Sequence, residues 1–245
     1  MSQSLQNGID ALVLMASRRA ITVGELASEI NVSKSTASRI LAALQDVNLV
    51  ERNRDASTYN LGPTVLRLAE QYSGNQSVIA VSRPFLERLV QEVHESAQLG
   101  VMVNDQAVVI EQVTSDARLV FHARVGGAEP LYCSAVGKCL LAFASEETRV
   151  RALAHVSMVP RTSKTISDMG RLYRELDKIR QLGYAVDEEE TAPDIKAVAV
   201  PLRNGRGAAM YAIGVAGAAS RLRDDRLNKV IPLVLKTSSD IHAQL

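Results

Sequence analysis

The feature that most constrains this chain is a pair of short apolar stripes separated by about three residues. In "TVGELASEI", Thr22 and Glu25 stand in the T-x-x-E relation of a capping box, and Leu26, Ala27 and Ile30 recur on one face. That pattern predicts a short helix. After Asn31 and Val32, Ser33 is a good N-cap for a helix in which Ala37, Ile40, Leu41 and Leu44 fall at i, i+3, i+4 and i+7. Two helices joined so closely form a helix-turn-helix. An earlier stripe, Ile9, Leu12, Val13 and Ala16, predicts a preceding amphipathic helix. Downstream, residues 49–52 and 58–61 read as extended with the polar "NRDAS" turning between them. The hairpin makes this the winged variant, with Arg52 and Arg54 as the basic residues of the wing.

Charge alone does not identify a partner. The chain carries 28 Lys+Arg against 27 Asp+Glu, and residues 1–62 hold six of each sign. Placement is more informative. If Ala37, Ile40, Leu41 and Leu44 face the core, then Ser35, Ser38, Arg39 and Ala42 point away from it, with Lys34 and Thr36 flanking. No acid occurs on this helix before Asp46. A helix entering the major groove needs a small face of this kind, since bulky or acidic side chains would hold it off the base edges. Arg39 is the candidate for a bidentate guanine contact, and Ser35, Thr36 and Ser38 for base or phosphate contacts. Lys34, Arg52 and Arg54 are candidates for phosphate. The competing explanation is a well-capped helix start with solvated arginines. The order of capped helix, short turn, small-faced helix and basic hairpin favours double-stranded DNA.

"PTVLRLAEQY" reads as a helix opened by Pro63, and "SGNQS" (73–77) as a linker, so the chain divides into 1–62, 63–77 and 78–245. With 47% hydrophobic residues, a chain of 245 can bury a core in each part. Beyond the linker the pattern is mixed α/β, in the α+β sense. A helix runs through "RPFLERLVQEVHES" with Phe85, Leu86, Leu89, Val90 and Val93 on one face. "LGVMVN", "AVVIEQV" and "RLVFHARV" read as an antiparallel meander. Ser134 and Ser145 then cap two helices, and a third spans about 168–182 before Gly183. "YAVD", "IKAVAVPL" and "AAMYAIGVAG" read as strands, with "NGRG" (204–207) as a hairpin turn. A last helix begins near Asp224 and places Leu227, Val230, Ile231, Val234 and Leu235 on one side.

Several function classes lack their signatures. No apolar run reaches the roughly 18–20 residues of a membrane span, and "MSQSLQNGID" lacks the features of a signal peptide, so a cytoplasmic protein is expected. Cys133 and Cys139 lack metal or redox spacing and read as packing residues, and His94, His122, His155 and His242 are scattered. No metal or cofactor is expected. "YCSAVGKC" ends like a phosphate loop, but Tyr132 and Cys139 stand where Gly and Ser or Thr are required. There is no G-x-S-x-G elbow, no H-E-x-x-H pair and no dinucleotide fingerprint. An enzyme is therefore not expected, and a ligand-independent architectural DNA-binding protein is the other alternative. The second part does offer one ligand position. Ser134 opens a helix whose free N–H groups favour a carboxylate, and the small residues around Ala135 and Val136 leave room for it.

"GELASEINVSKSTASRILAALQDVNLVER", followed by "YNLGPTVLRLA", strongly resembles the IclR family of bacterial transcription regulators. "PLYCSAVGKCLLA", "KTI", "LGYAVDEEE", "AVAVP" and "AIGVAG" follow in the family's order, so the resemblance covers nearly the whole chain. It implies a winged helix, a linking helix that helps dimerise, and a GAF-like domain that binds a small metabolite. It also implies dimers, often paired into tetramers, on pseudopalindromic operators. In the family the aspartate matching Asp187 can meet a ligand hydroxyl or amide, though Asp187 reads equally as part of a solvated loop; Glu188–Glu190 beside it read rather as that loop. Many relatives carry a cysteine and serines where this chain has Ala197, Gly214 and Ala216. That departure suggests a bulkier or more apolar organic acid than the smallest oxoacids.

Overall fold

The structure is a computed structural model that describes residues 2–53, 55–73, 78–118, 120–203 and 209–245. It divides into two compact units, residues 1–74 and 75–245. Arg54, residues 74–77 of the expected linker and the expected turn at 204–207 lie outside the described residues.

The first unit contains α1 (Gln3–Ala16), α2 (Val23–Glu29), α3 (Lys34–Asp46), β1 (Val50–Asn53), β2 (Thr58–Leu61) and α4 (Thr64–Ser73). Both helix starts are held by the side chains expected from sequence. Thr22 Oγ1 accepts from Glu25 N at 3.2 Å while Thr22 N donates to Glu25 Oε2 at 2.7 Å. Ser33 Oγ accepts from Thr36 N at 3.1 Å. Leu26, Ala37, Leu41 and Val50 are fully buried, with Ile40 and Leu44 packed against them. Ile21 and Tyr59 bond N–H to O both ways across a bridge, at 3.0 and 2.8 Å, which ties the approach to α2 onto the hairpin. α4 starts in contact with the end of α3: Thr64 Oγ1 donates to Val47 O at 2.9 Å, and a Cβ on Gly62 would collide with Asn48 O.

The face that α1 buries is not the expected one. Asn7, Ala11 and Met15 are buried, whereas Ile9 and Val13 are exposed and Leu12 is half-buried. The helix is apolar on two sides, and periodicity cannot choose between them. Packing against α3 selects the slimmer Ala11–Met15 side and leaves Leu5, Ile9 and Val13 as an outward ridge.

The second unit contains α5 (Val78–Val93), β3 (Ser96–Val103), β4 (Gln106–Val113), β5 (Ala128–Glu129), α6 (Ala135–Phe143), α7 (Glu146–Ala154), α8 (Met169–Leu182), β6 (Ala185–Glu188), β7 (Ile195–Arg203), β8 (Ala209–Ala218) and α9 (Asp224–His242). The six strands form one antiparallel sheet in the order β5-β4-β3-β8-β7-β6. Alternation along β7 and β8 sorts residues by size. Val198, Val200, Ile213 and Val215 pack with α5 and α9, while Ala197, Ala199, Ala212 and Ala216 pack with α6 and α8. The small face lets α6 lie close to the sheet.

Two expectations for this unit require correction. Among the described residues, 118–125 contain no strand. The segment alternates in burial, with Ala123 buried and His122 and Arg124 exposed, but Gly126 and Gly127 take the hydrogen bonds of β4 instead, exchanging them with Val109 at 2.7 and 3.0 Å. Alternation thus records a half-buried extended chain without a ladder. In α9, Leu235 is exposed, and Ser238 and Ile241 complete the buried side. Among the described residues, no helix is long and apolar enough to cross a membrane.

Candidate functional site

The exposed side of α3 assembles as its spacing required. Lys34, Ser35, Ser38, Arg39 and Ala42 are exposed and Thr36 is half-buried. The Ser35 and Thr36 hydroxyls both lie 2.9 Å from Ser33 Oγ, so the cap gathers three hydroxyls at the helix start beside its free N–H groups. On the hairpin, Arg52 pairs across the ladder with Tyr59 and its guanidinium stands 5.9 Å from the Tyr59 ring centre. The base of the wing therefore presents a positioned cation, flanked by the acids Glu51 and Asp55. Arg54, its expected companion, lies outside the described residues.

The second-unit candidates come from four separate stretches and converge on the small face of the sheet. Ladder register aligns Asp187 of β6 with Ala197 of β7, and Ala197 with Ala216 of β8. Gly214 lies beneath α6: a Cβ there would sit 2.9 Å from Val136 Cγ2, and one on Gly100 would collide with Val136 Cγ1. Ser134, Ala135 and Val136 are all buried. The room expected from the bare residue at position 214 is thus already filled by Val136 and its neighbours.

The start of α6 is closed rather than open. Ser134 Oγ accepts from Gly137 N at 3.0 Å and donates to Pro130 O at 2.8 Å, and a Cβ on Gly137 would collide with Pro130 O. Burial and the nearby Asp187 push the adjacent Glu129 carboxyl above the ordinary carboxylate range. Glu129 faces an open cleft of about 620 Å³, also lined by Tyr132, His155, Val159 and Arg161. Tyr132 donates from its hydroxyl to Val159 O at 2.7 Å across this cleft.

The acid run is paired rather than free, and only Glu188 and Glu189 keep access to solvent. Asp187 and Glu190 are buried, and each of Glu188, Glu189 and Glu190 meets a lysine: Lys196 at 2.7 Å, Lys164 at 2.5 Å, and the fully buried Lys138. Lys138 Nζ also reaches Glu175 Oε1 of α8 at 3.4 Å. Asp187 Oδ1 accepts from Glu190 N at 2.6 Å and Thr191 N at 3.3 Å, and Oδ2 accepts from Thr191 Oγ1. Burial nevertheless raises its pKa, as it does for Glu190. The turn is held from outside by the "KTI" segment, through Thr165 Oγ1 to Glu190 O at 2.7 Å and Thr162 Oγ1 to Glu189 O at 2.8 Å. That restraint keeps Glu189 at φ 63°, a left-handed conformation unfavourable for a side chain of its size. Burial pushes the Cys133 thiol up to about 11, leaving it neutral, and no group of three or more metal-ligating side chains occurs among the described residues.

Lys138 was missed from sequence, Glu190 was read with the solvated run, and Glu129 was missed as well. A lysine inside the otherwise apolar "AVGKCLLA" was the available signal for the first two, because a cation in such a helix needs a buried partner. Glu129 carried no signal, since its neighbours are set by the turn before α6.

Comparison with known proteins gives this geometry its context. A family model described as "Bacterial transcriptional regulator IclR C-terminal" matches residues 70–243, and the MarR family model matches residues 6–57. Over 209 residues the chain is 37% identical to an HTH-type transcriptional regulator of Mycobacterium tuberculosis, covering 85% of this chain and 79% of that protein. It is 29% identical over 245 residues to the HTH-type transcriptional repressor AllR of Escherichia coli, covering 100% of this chain and 90% of that one. An IclR transcriptional regulator from Alicyclobacillus acidocaldarius superposes with a TM-score of 0.88 at 25% identity, over 99% of this chain and 98% of that chain. An IclR homolog from Microbacterium hydrocarbonoxydans, solved in complex with 4-hydroxybenzoate, gives 0.81 at 23% identity, over 98% and 100%. With the winged helix-turn-helix in its first unit and the IclR C-terminal match across its second, this chain belongs to the IclR family of bacterial transcriptional regulators.

Proposed function

We propose that this regulator is a ligand-responsive repressor of a catabolic operon, and that a small organic acid bound in the second unit controls its hold on DNA. A homodimer, or a pair of dimers, places two copies of α3 in successive major grooves of a pseudopalindromic operator. Arg39 reads a base, Ser35, Thr36 and Ser38 contact bases or phosphates, and Lys34, Arg52 and Arg54 hold the phosphate backbone. The outward apolar residues Leu5, Ile9 and Val13 of α1, and Leu66 and Leu68 of α4, support self-association of the first unit. The relative named as a repressor and the homolog bound to 4-hydroxybenzoate support repression and an acid effector.

The observation that carries the sensing reading is the convergence of 134–136, Asp187, Ala197, Gly214 and Ala216 on one wall of the sheet. Arg161 in the adjoining cleft is a cation available to an entering acid. A ligand changes operator affinity only if it binds two arrangements of the protein unequally. Operator titrations with and without candidate acids test this, and equal affinities throughout would remove effector control and favour the architectural alternative. The reading assigns the second unit no catalytic role; turnover of an acid by pure protein would overturn that.

A further inference from the structure

The small residues of β7 and β8 leave open which polar groups meet a ligand. In the ladder, Gln98 of β3 pairs with Gln112 of β4 on one side and with Gly214 of β8 on the other. A Cβ on Gly214 would sit 3.4 Å from both Cγ and Nε2 of Gln98, so this amide lies over the glycine on the side occupied by Val136. Gln98 is 5% exposed. The Oε1 atoms of Gln98 and Gln112 are both closed to solvent and accept no hydrogen bond among the described residues. Ser115 Oγ is in the same condition, and Ser115 N donates at 3.3 Å to Ser96 Oγ, two residues from Gln98 on the same side of β3.

The orientation of Gln112 is set by its partner. Its Nε2 donates to Phe121 O at 3.1 Å, and a carbonyl can only accept, so the free end of that amide is the oxygen. Polarity absent from Ala197, Gly214 and Ala216 is thus present on the neighbouring strands. Unpartnered buried oxygens cost stability and persist where something else supplies donors.

We propose that Gln98 and Gln112 determine the specificity of the ligand site. They select a ligand group that donates N–H or O–H bonds, such as a carboxamide, ureido or hydroxyl group, over a carboxylate. A carboxylate placed across the pair meets at least one carbonyl oxygen, because the Nε2 end of Gln112 is turned to Phe121 O and the opposite end of that amide is its oxygen. An organic acid then binds with its carboxylate away from the glutamines and its donor group between them. The inference rests on the second unit being a ligand sensor.

Calorimetry on the full chain with isosteric pairs tests it: isobutyramide against isobutyrate, and benzamide against benzoate. The amide of each pair is expected to bind at least tenfold more tightly. Gln98→Met and Gln112→Met are each expected to abolish that preference, and Gln98→Met to leave the melting temperature of the free protein unchanged or raised, where a purely structural role would lower it; Gln112→Met also gives up the bond to Phe121 O, so it is read by ligand preference alone. Should a methionine variant fail to fold, Gln98→Glu keeps the acceptor, and it must retain the amide while weakening the acid further. Acids that bind as tightly as amides, or a preference that survives both substitutions, overturn the proposal and leave sensing intact. If neither pair binds and a broad metabolite panel leaves operator affinity unchanged, the sensing reading falls and takes this inference with it.

Discussion

The two units carry their candidate side chains in opposite ways. In the first, Lys34, Ser35, Ser38 and Arg39 stand exposed on a helix whose other side is the core, so a change there alters the surface without disturbing packing. In the second, Ser134, Val136, Asp187, Lys138 and Glu190 are buried, and the ion pair at their centre joins distant parts of the chain, Lys138 and Glu190 being 52 residues apart. A DNA-reading face must be accessible to a large rigid partner, whereas a small-molecule site works by enclosure. The price of enclosure is that each polar group inside it also holds up the fold.

The sharpest break of this comparison is Lys138→Met. It leaves Glu190 buried without its cation, and destabilisation of about 3–5 kcal/mol is expected, read as a fall in melting temperature. Adding Glu190→Met should recover most of that loss, because an apolar pair of similar volume replaces the ion pair. If the single change is silent, the ion pair is not the brace described here. Arg39→Ala is the counterpart in the first unit. It should cost on the order of 1–3 kcal/mol in operator binding and relax base preference at one position per half-site, with unfolding unchanged. Footprinting that shows intact specificity would remove Arg39 from base reading.

A smaller effect is expected at Glu129. Its pKa is raised in the folded protein, so between the ordinary carboxylate value of 4.5 and the raised one the folded state holds more protons than the unfolded state, and stability falls as pH rises through that window. Glu129→Gln should therefore melt higher than the parent at neutral pH, with the gain shrinking as pH drops below 4.5. Thermal melts at a series of pH values decide it; a gain that persists in acid would point to packing instead. Arg52→Ala should have the least effect, weakening binding uniformly across operator sequences and reducing the slope of log affinity against log salt by about one. A change in sequence preference would instead make Arg52 a base reader.

Legibility followed the distance between partners. Thr22 with Glu25, and Ser33 with Thr36, are caps that close within three residues, so both were readable. Ala37 and Leu41 followed from one helix turn. α1 defeated the same method because it has two apolar sides, and 118–125 because alternation does not reveal whether a neighbouring strand accepts the hydrogen bonds. The helix start brought Ser134 forward and the resemblance Asp187, Ala197, Gly214 and Ala216, but neither revealed the closed cap over Ser134 or the Lys138 anchor beneath the acid turn.

By itself, the sequence determined the helix-turn-helix, its caps, the small basic side of α3 and most of the strands and helices beyond it, the third strand of the expected meander excepted. Each depends on groups a few residues apart, whose geometry the backbone imposes locally. Only the tertiary structure decided which side of α1 is buried, that Val136 and Gln98 occupy the space over Gly214, and that Lys138 closes on Glu190. Those outcomes depend on sheet register and on how closely α6 approaches a face of alanines and glycines, which are properties of the packed layers as a whole.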